Sequence, residues 1–356
     1  MRSSADGPIV VNVLNGFLGA GKTTLLNGLL QQPDLSDVAV IINEFGSVGI
    51  DHLLVETIDD DTVLLQSGCI CCTIRGDLKQ AILSLFEKRQ AGQIAPFRRL
   101  VIETTGLADP APIVATLTAD LMLKYHFTMG NIIAVVDVPN GRHNLETYAE
   151  SARQVAVADR IVITKGDLAE AEAMRDLRAL LSAMNPTARI EICNPGQSVS
   201  GLVLTEDIHD IGARSGDVRR WISAERYHDH AHGPLPDVNL HGAIRSITVT
   251  AAPPLSWPRF SMWLSMLVNR HGDRLLRIKG ILDIEGQSTP VVIHGVQHLI
   301  HKPVHLAEWP KGLTGSVIVF ITDGEIGDLD RSFAAFMKQE PQPGAAADPV
   351  VAALAN

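Results

Sequence analysis

The sequence predicts an α/β fold: a mostly parallel sheet covered by helices on both faces, followed by a smaller C-terminal α+β domain. Three observations predict it. Short apolar runs alternate with longer stretches of helical periodicity through the first half of the chain. A glycine-rich turn, beginning at Gly16, sits directly between the first apolar run and the first helical stretch. After about Gly201 the alternation stops and a different pattern follows.

The elements follow in order. Ile9 to Leu14 is a buried-strand candidate, and a helix is expected from about Lys22 to Leu30. Val38 to Ile42 and Thr62 to Leu65 read as further strands. Ile74, Leu78, Ile82, Leu85 and Phe86 recur at helical spacing within Ile74 to Lys88. Leu100-Val101-Ile102 is a very short strand; Ile132 to Val136 and Ile161-Val162-Ile163 are two more, with a helix from about Leu145 to Ala156 between them. Ala169 to Met184 reads as helix, and Arg189 to Cys193 closes the series. Residues 1–200 are thus expected to form the first domain. Residues 201–242 lack periodicity and carry Gly, Pro, Asp and His, the composition of a linker or loop. The second domain, residues 243–340, is expected to contain a strand (Ala243 to Thr250), a helix (Ser256 to Asn269), strands near Leu275 to Ile284, Val291 to Ile300 and Val317 to Ile321, and a helix from Gly327 to Met337. The Ala- and Pro-rich tail, residues 341–356, is expected to fray.

Composition excludes several classes. The 356 residues are 46% hydrophobic and 20% charged, an ordinary balance for folded domains. Thirty Lys and Arg against forty Asp and Glu give a formal charge of −10, opposite to the basic excess of a nucleic-acid binder. Apolar runs are all shorter than the roughly 18 residues needed to cross a bilayer, so no membrane role is expected. The apolar run after Met1-Arg2-Ser3 suits a strand better than a secretory signal, and the four cysteines do not form a disulfide framework. The expected class is a soluble cytoplasmic protein.

Gly16-Phe17-Leu18-Gly19-Ala20-Gly21-Lys22-Thr23-Thr24 fits G-x-x-x-x-G-K-[ST] between a strand and a helix. The glycines let the backbone wrap with its N–H groups toward phosphate oxygens, and the helix N-terminus adds a favourable dipole. Lys22 supplies a point charge and Thr23 a hydroxyl ligand for Mg²⁺, which predicts a P-loop NTPase domain. The bland alternative is an incidental glycine-rich turn. Leu100 to Glu103 is an apolar strand ending in a carboxylate, and Thr104-Thr105-Gly106 follows. Glu103 is placed to hold Mg²⁺ through water, and the Gly106 N–H to sense a γ-phosphate. Lys22, Thr23 and Glu103 are therefore the candidates for the reaction itself.

Thr164-Lys165-Gly166-Asp167 resembles the [NT]-K-x-D element of GTPases. There a carboxylate accepts two hydrogen bonds from guanine, a pair adenine cannot donate, while the Lys stem packs over the base. The alternative is a surface turn with a helix-capping Asp. Gly68-Cys69-Ile70-Cys71-Cys72 places three thiols within four residues. Thiolates suit Zn²⁺, and a helix N-terminus lowers the thiol pKa toward the metal-binding form. Small buried hydrophobes or a redox pair remain alternatives. His228, His230 and His232 lie within five residues on the loop and are candidates for weak accessory metal binding; a solvated loop is the alternative. His294, His298, His301 and His305 follow four, three and four apart; on the expected strand His294 and His298 share a face.

With these residues assembled, the chain resembles the CobW family of P-loop GTPases, relatives of the nickel-insertion GTPases UreG and HypB. The segments that carry the resemblance run from the phosphate loop through Asn43-Glu44-Phe45-Gly46, the cysteine cluster, Glu103 to Pro110, Thr164 to Asp167, and Leu276-Arg277-Ile278-Lys279-Gly280 in the second domain. The resemblance implies a GTP-hydrolysing metallochaperone or metal-insertion factor, with zinc, cobalt (Co²⁺) or iron (Fe²⁺) as cargo in different branches. It also implies a metal-binding role for Glu44, a client metalloprotein as partner, and nucleotide control of metal affinity through a switch from Asn43 to Asp51. Relatives often carry Glu after Asn-Glu-Phe-Gly; here Ser47 stands there, and Ile42 stands where some have an acid. Two other classes compete. One is a passive metal buffer or sensor, separable by a metal-dependent turnover assay; the other is a P-loop kinase with structural cysteines, separable by competition of GTP against ATP.

Overall fold

The computed structural model describes residues 7–32, 37–43, 74–194, 197–204, 244–310 and 313–338. These fall into two units, one drawn from positions 1–182 and 188–208, the other from 183–187 and 209–356.

In the first unit β1 (Ile9–Gly16) is buried along almost its whole length, as a central parallel strand must be. Its neighbours are β3 (Arg99–Thr104) on one side and β4 (Phe127–Asp137) on the other. β2 (Val38–Asn43) lies outside β3, and β5 (Arg160–Thr164) and β6 (Arg189–Ile192) lie beyond β4. The sheet order is therefore β2-β3-β1-β4-β5-β6, with every pairing parallel. α1 (Lys22–Leu30) buries Leu25, Leu26 and Leu29 against Leu14, Val40, Val101, Val135 and Val162. The chain diverges on either side of β1, and in such sheets ligands bind beyond the carboxyl ends of the strands near that divergence.

Several expectations change. β4 begins five residues earlier than the run Ile132 to Val136 indicated. The polar Thr128 and Asn131 hide its first half: the register with β1 shifts between Val11 and Val13, and Asn12 Oδ1 accepts from the Asn131 N–H at 2.8 Å in place of a ladder bond. Two helices were not anticipated. α3 (Ala111–Ala119) starts beside Pro110 and Pro112, which a first helical turn tolerates, and α4 (Leu121–His126) is capped by the Asp120 carboxylate at Met122 N and Leu123 N. The expected helix from Leu145 to Ala156 is two helices, α5 (Val138–Thr147) and α6 (Ala149–Val157), broken by extended backbone at Tyr148. α2 (Ile74–Gln90) and α7 (Ala171–Met184) follow their periodicity. The segment read as a linker from residue 201 opens inside a helical turn, α8 (Ser200–Val203), whose Leu202 and Val203 join the α1 side of the core. The expected strand Thr62 to Leu65, most of the 201–242 segment and the 341–356 tail lie outside the described residues.

The second unit is an antiparallel sheet built from β7 (Ile244–Ala251), β8 (Leu275–Leu282), β9 (Val291–Val296), β10 (Leu299–Ile300) and β12 (Ser316–Asp323), in the order β10-β9-β8-β12-β7. The short β11 (Val304–His305) also pairs with β9. α9 (Trp257–His271) and α10 (Leu329–Lys338) pack Phe260, Trp263, Leu264 and Phe333 onto Ile278, Ile318 and Phe320. The expected strand Val291 to Ile300 is a tight hairpin instead, turning at Gln297, whose φ is 50°, so that Leu299 pairs with Val296. The turn removes the shared face of His294 and His298; His298 Nε2 lies 2.9 Å from Asp273 Oδ1.

Candidate functional site

The phosphate loop follows directly from the carboxyl end of β1. Gly16 has φ 146°, and a Cβ there would stand 2.4 Å from the Val135 carbonyl oxygen of β4. Gly19 and Gly21 also take positive φ, 73° and 98°, the wrap that brings the backbone N–H groups of the loop around one point. α1 starts at Lys22, so its N-terminal dipole faces the same point. Lys22 is buried; its Nζ donates to Gly16 O at 2.9 Å and to Phe17 O at 3.3 Å. Ala20 is buried and Thr24 exposed.

Glu103 sits at the end of β3 beside Leu14 of β1 and is buried. The Thr23 hydroxyl donates to Glu103 Oε1 at 2.8 Å. Hydroxyl and carboxylate oxygens side by side at a phosphate loop form a donor set that fits a hard divalent cation such as Mg²⁺. The turn after β3 crosses the loop closely: a Cβ on Gly106 would lie 2.6 Å from the Leu18 amide nitrogen. From α6, Gln154 Nε2 donates to Gly106 O at 3.1 Å and to Ala108 O at 3.0 Å. Tyr148, just before α6, stacks on Phe17 of the loop with centroids 4.6 Å apart.

The third element reaches the loop from β5. Thr164 Oγ1 donates to Ala20 O at 2.6 Å, and Lys165 Nζ to Gly19 O at 2.6 Å. Lys165 has φ 57°, a left-handed backbone that the surroundings hold in place. Its Nζ lies 3.4 Å from Oδ2 of the buried Asp137, which also accepts from Asn140 Nδ2 at 2.9 Å. Asp167 is exposed on the single 3-10 turn Gly166–Leu168 that follows.

The fold thus brings Gly16, Gly19, Ala20, Gly21, Lys22, Thr23, Glu103, Gly106, Thr164 and Lys165 to one end of the sheet, with Thr24 and Asp167 exposed beside them. Cys69, Cys71, Cys72, Glu44, His228, His230 and His232 lie outside the described residues. Among the described residues no group of three or more His, Cys, Asp or Glu is placed to hold a metal, the His294 to His305 series included. No helix among them is long and apolar enough to cross a membrane. Asp137 and Gln154 were not singled out from sequence. Asp137 carries the same signal as Glu103, an apolar strand ending in an acid; Gln154 carries none.

The CobW/HypB/UreG nucleotide-binding domain matches residues 10–191, and the cobalamin synthesis protein cobW C-terminal domain matches residues 244–337. The zinc chaperone YjiA of Escherichia coli is 33% identical over 309 residues, covering 85% of this chain and 89% of that protein. The zinc-regulated GTPase metalloprotein activator 1 of Schizosaccharomyces pombe is 34% identical over 196 residues, 53% of this chain and 46% of that protein. The crystal structure of zinc-bound YjiA GTPase from E. coli superposes with TM-score 0.66 at 28% identity, covering 93% of this chain and 100% of that one. A zinc-bound YjiA triple mutant, with one Glu and two Cys replaced by Ala, gives 0.67 at 29% identity with the same coverage. With its phosphate loop, strand-end acid and Thr-Lys-Gly-Asp turn assembled on a parallel sheet and both domains matched, this chain belongs to the CobW/HypB/UreG family of nucleotide-binding proteins.

Proposed function

We propose that this chain is a GTP-hydrolysing metallochaperone that binds a transition metal, zinc first, at Cys69, Cys71 and Cys72 and passes it to a client metalloprotein under nucleotide control. The chain is a GTPase: it carries the family's nucleotide-binding domain, and relatives are named as GTPases. The observation that carries the guanine reading is the tether of Thr164 and Lys165 to the carbonyls of Ala20 and Gly19. It holds the strand end that leads into Asp167 against the phosphate loop, which supports reading Asp167 as the base-recognising acid.

In this reading the loop N–H groups and Lys22 hold the β- and γ-phosphates, and Gly106 N–H meets the γ-phosphate. The water oxygen bonds to the γ-phosphorus as the bond to the β–γ bridging oxygen breaks, giving GDP and phosphate. Mg²⁺, held by the Thr23 hydroxyl and through water by Glu103, would neutralise charge on the phosphate oxygens. The sequence offers no obvious general base or arginine finger, so unaided turnover is expected to be slow.

Metal held by the thiolates would favour one nucleotide state, and reciprocity then makes that state bind metal more tightly. Glu44 would add an oxygen ligand; His228, His230 and His232 would serve as a weak accessory site. GTP, a client metalloprotein and a second copy of the chain are the partners to test; Co²⁺ and Fe²⁺ are the cargo alternatives. The test is zinc affinity measured with GDP and with a non-hydrolysable GTP analogue. A clear difference supports the switch, and equal affinities end it. Replacing Cys69, Cys71 and Cys72 together with Ser should abolish tight stoichiometric zinc binding. Because a YjiA triple mutant still crystallised with zinc, affinity in solution is the quantity to compare.

A further inference from the structure

Gln154 is 1% exposed in the middle of α6, and both hydrogens of its amide are spent on the turn after β3: Nε2 donates to Gly106 O at 3.1 Å and Ala108 O at 3.0 Å. Its Oε1 is buried with no hydrogen-bond partner among the described residues. A buried, unmatched acceptor is a net penalty, so a side chain chosen for packing alone would carry no amide here. What the residue supplies is its two donors.

Those donors complete a set. Thr105 O accepts from Ala108 N at 3.1 Å and from Thr104 Oγ1 at 3.2 Å, which orients the peptide between Thr105 and Gly106. Gln154 holds the next peptide through Gly106 O. The bonds to Thr105 O thus set the direction of the Gly106 N–H, while Gln154 fixes the peptide that follows, so Gly106 is held from its carbonyl side and cannot turn away from the loop. The same helix is anchored to the phosphate loop at its start, where Tyr148 stacks on Phe17. α6 thus sets the turn and the loop relative to each other.

We propose that Gln154 is a positioning residue that holds the carbonyl side of the turn bearing Gly106, so that the Gly106 N–H stays facing the γ-phosphate and GTP is discriminated from GDP without Gln154 touching either. This rests on the reading of the turn as the γ-phosphate sensor. The test uses the full chain and three variants: Gln154→Met, which keeps volume and loses both donors, Gln154→Glu, and Gly106→Ala. Affinities for GDP and for a non-hydrolysable GTP analogue are titrated beside steady-state kcat and KM. Gln154→Met should leave GDP affinity within about twofold, while analogue affinity and kcat/KM fall roughly tenfold or more, the scale of one to two lost hydrogen bonds. Equal losses for both nucleotides, or none for either, overturn the proposal. Gln154→Glu gives an independent readout that survives a misfolded Met variant. Its carboxylate donates nothing, whereas the protonated acid donates once, so its deficit should shrink as pH falls; a deficit constant with pH overturns the proposal. Gly106→Ala separates the two levels. If it leaves the analogue-to-GDP ratio unchanged, the sensor reading itself fails. If it collapses the ratio while Gln154→Met does not, only the role of Gln154 falls.

Discussion

Gly16→Ala measures how tightly the end of β1 is locked. In register, Gly16 faces Val135 of β4, and a Cβ would stand 2.4 Å from Val135 O, 3.0 Å from its N and 3.1 Å from its C. All three are backbone atoms inside the sheet, so relief means parting β1 from β4 by roughly 1 Å at that rung, weakening a ladder bond worth about 1 kcal/mol. The φ of 146° adds about 1–3 kcal/mol for any residue with a Cβ. The sum is about 2–4 kcal/mol. Gly19→Ala is the control: its φ is 73° but a Cβ there meets nothing within 4 Å, so only about 1 kcal/mol of backbone strain remains. Urea unfolding followed by far-UV circular dichroism and by tryptophan fluorescence resolves the two units. Trp257, Trp263 and Trp309 are packed in the second unit and report its unfolding. Gly16→Ala should shift the dichroism transition about 2 kcal/mol further than Gly19→Ala. Equal shifts for the two variants would refute the packing account.

Asp167→Asn replaces an acceptor carboxylate with an amide that is half donor, so GTP binding should fall about 10²- to 10⁴-fold while xanthosine triphosphate gains, read by competition titration. Phe320→Ala removes a fully buried ring that meets Trp263 edge-on at 5.9 Å and should lower the stability of the second unit by about 3–5 kcal/mol, seen as an earlier fluorescence transition in urea. Burial pushes the Cys193 thiol above its usual range, so its thiolate is scarce at neutral pH. Peptide mapping should find it alkylated about tenfold more slowly in the folded chain than in urea, with the gap closing as pH rises. The Lys79 ammonium hydrogen-bonded to Asp120 holds that carboxyl below the usual carboxylate range, so its contribution to α4 is present at neutral pH and lost as pH falls through the lowered value. Asp120→Asn should remove this acid limb from the helicity of α4 measured by hydrogen exchange.

The central strands and α1 were legible because burial on both faces leaves a continuous apolar run, and the phosphate loop because its chemistry demands fixed spacing. β4 was half hidden for a physical reason. Asn12 substitutes for a backbone partner of Asn131, so a polar residue inside a central strand keeps its N–H bonded. The break between α5 and α6 is set by Tyr148 reaching Phe17, a contact far along the chain that local periodicity cannot register. Within the site, Glu103 and Asp137 have the same strand-end signature, yet only Glu103 follows the phosphate loop at the spacing that draws notice. Gln154 finds its partners 46 and 48 positions away and looks from sequence like any helical glutamine. In the second unit, Gln297 turned one expected strand into two, since no glycine marks its positive φ.

The tethers from Thr164 and Lys165 have one more consequence. A peptide group is planar, so capturing its carbonyl oxygen dictates where the following hydrogen points. Ala20 O and Gly19 O are captured from outside by Thr164, the last residue of β5, and Lys165 just after it, and Gly16 O and Phe17 O by Lys22. The orientation of these four peptides is thereby set by the chain's own side chains rather than by phosphate. Loosening these anchors should slow capture of the nucleotide before it alters how firmly the nucleotide is kept, which makes β5 a determinant of association rate as well as of base choice.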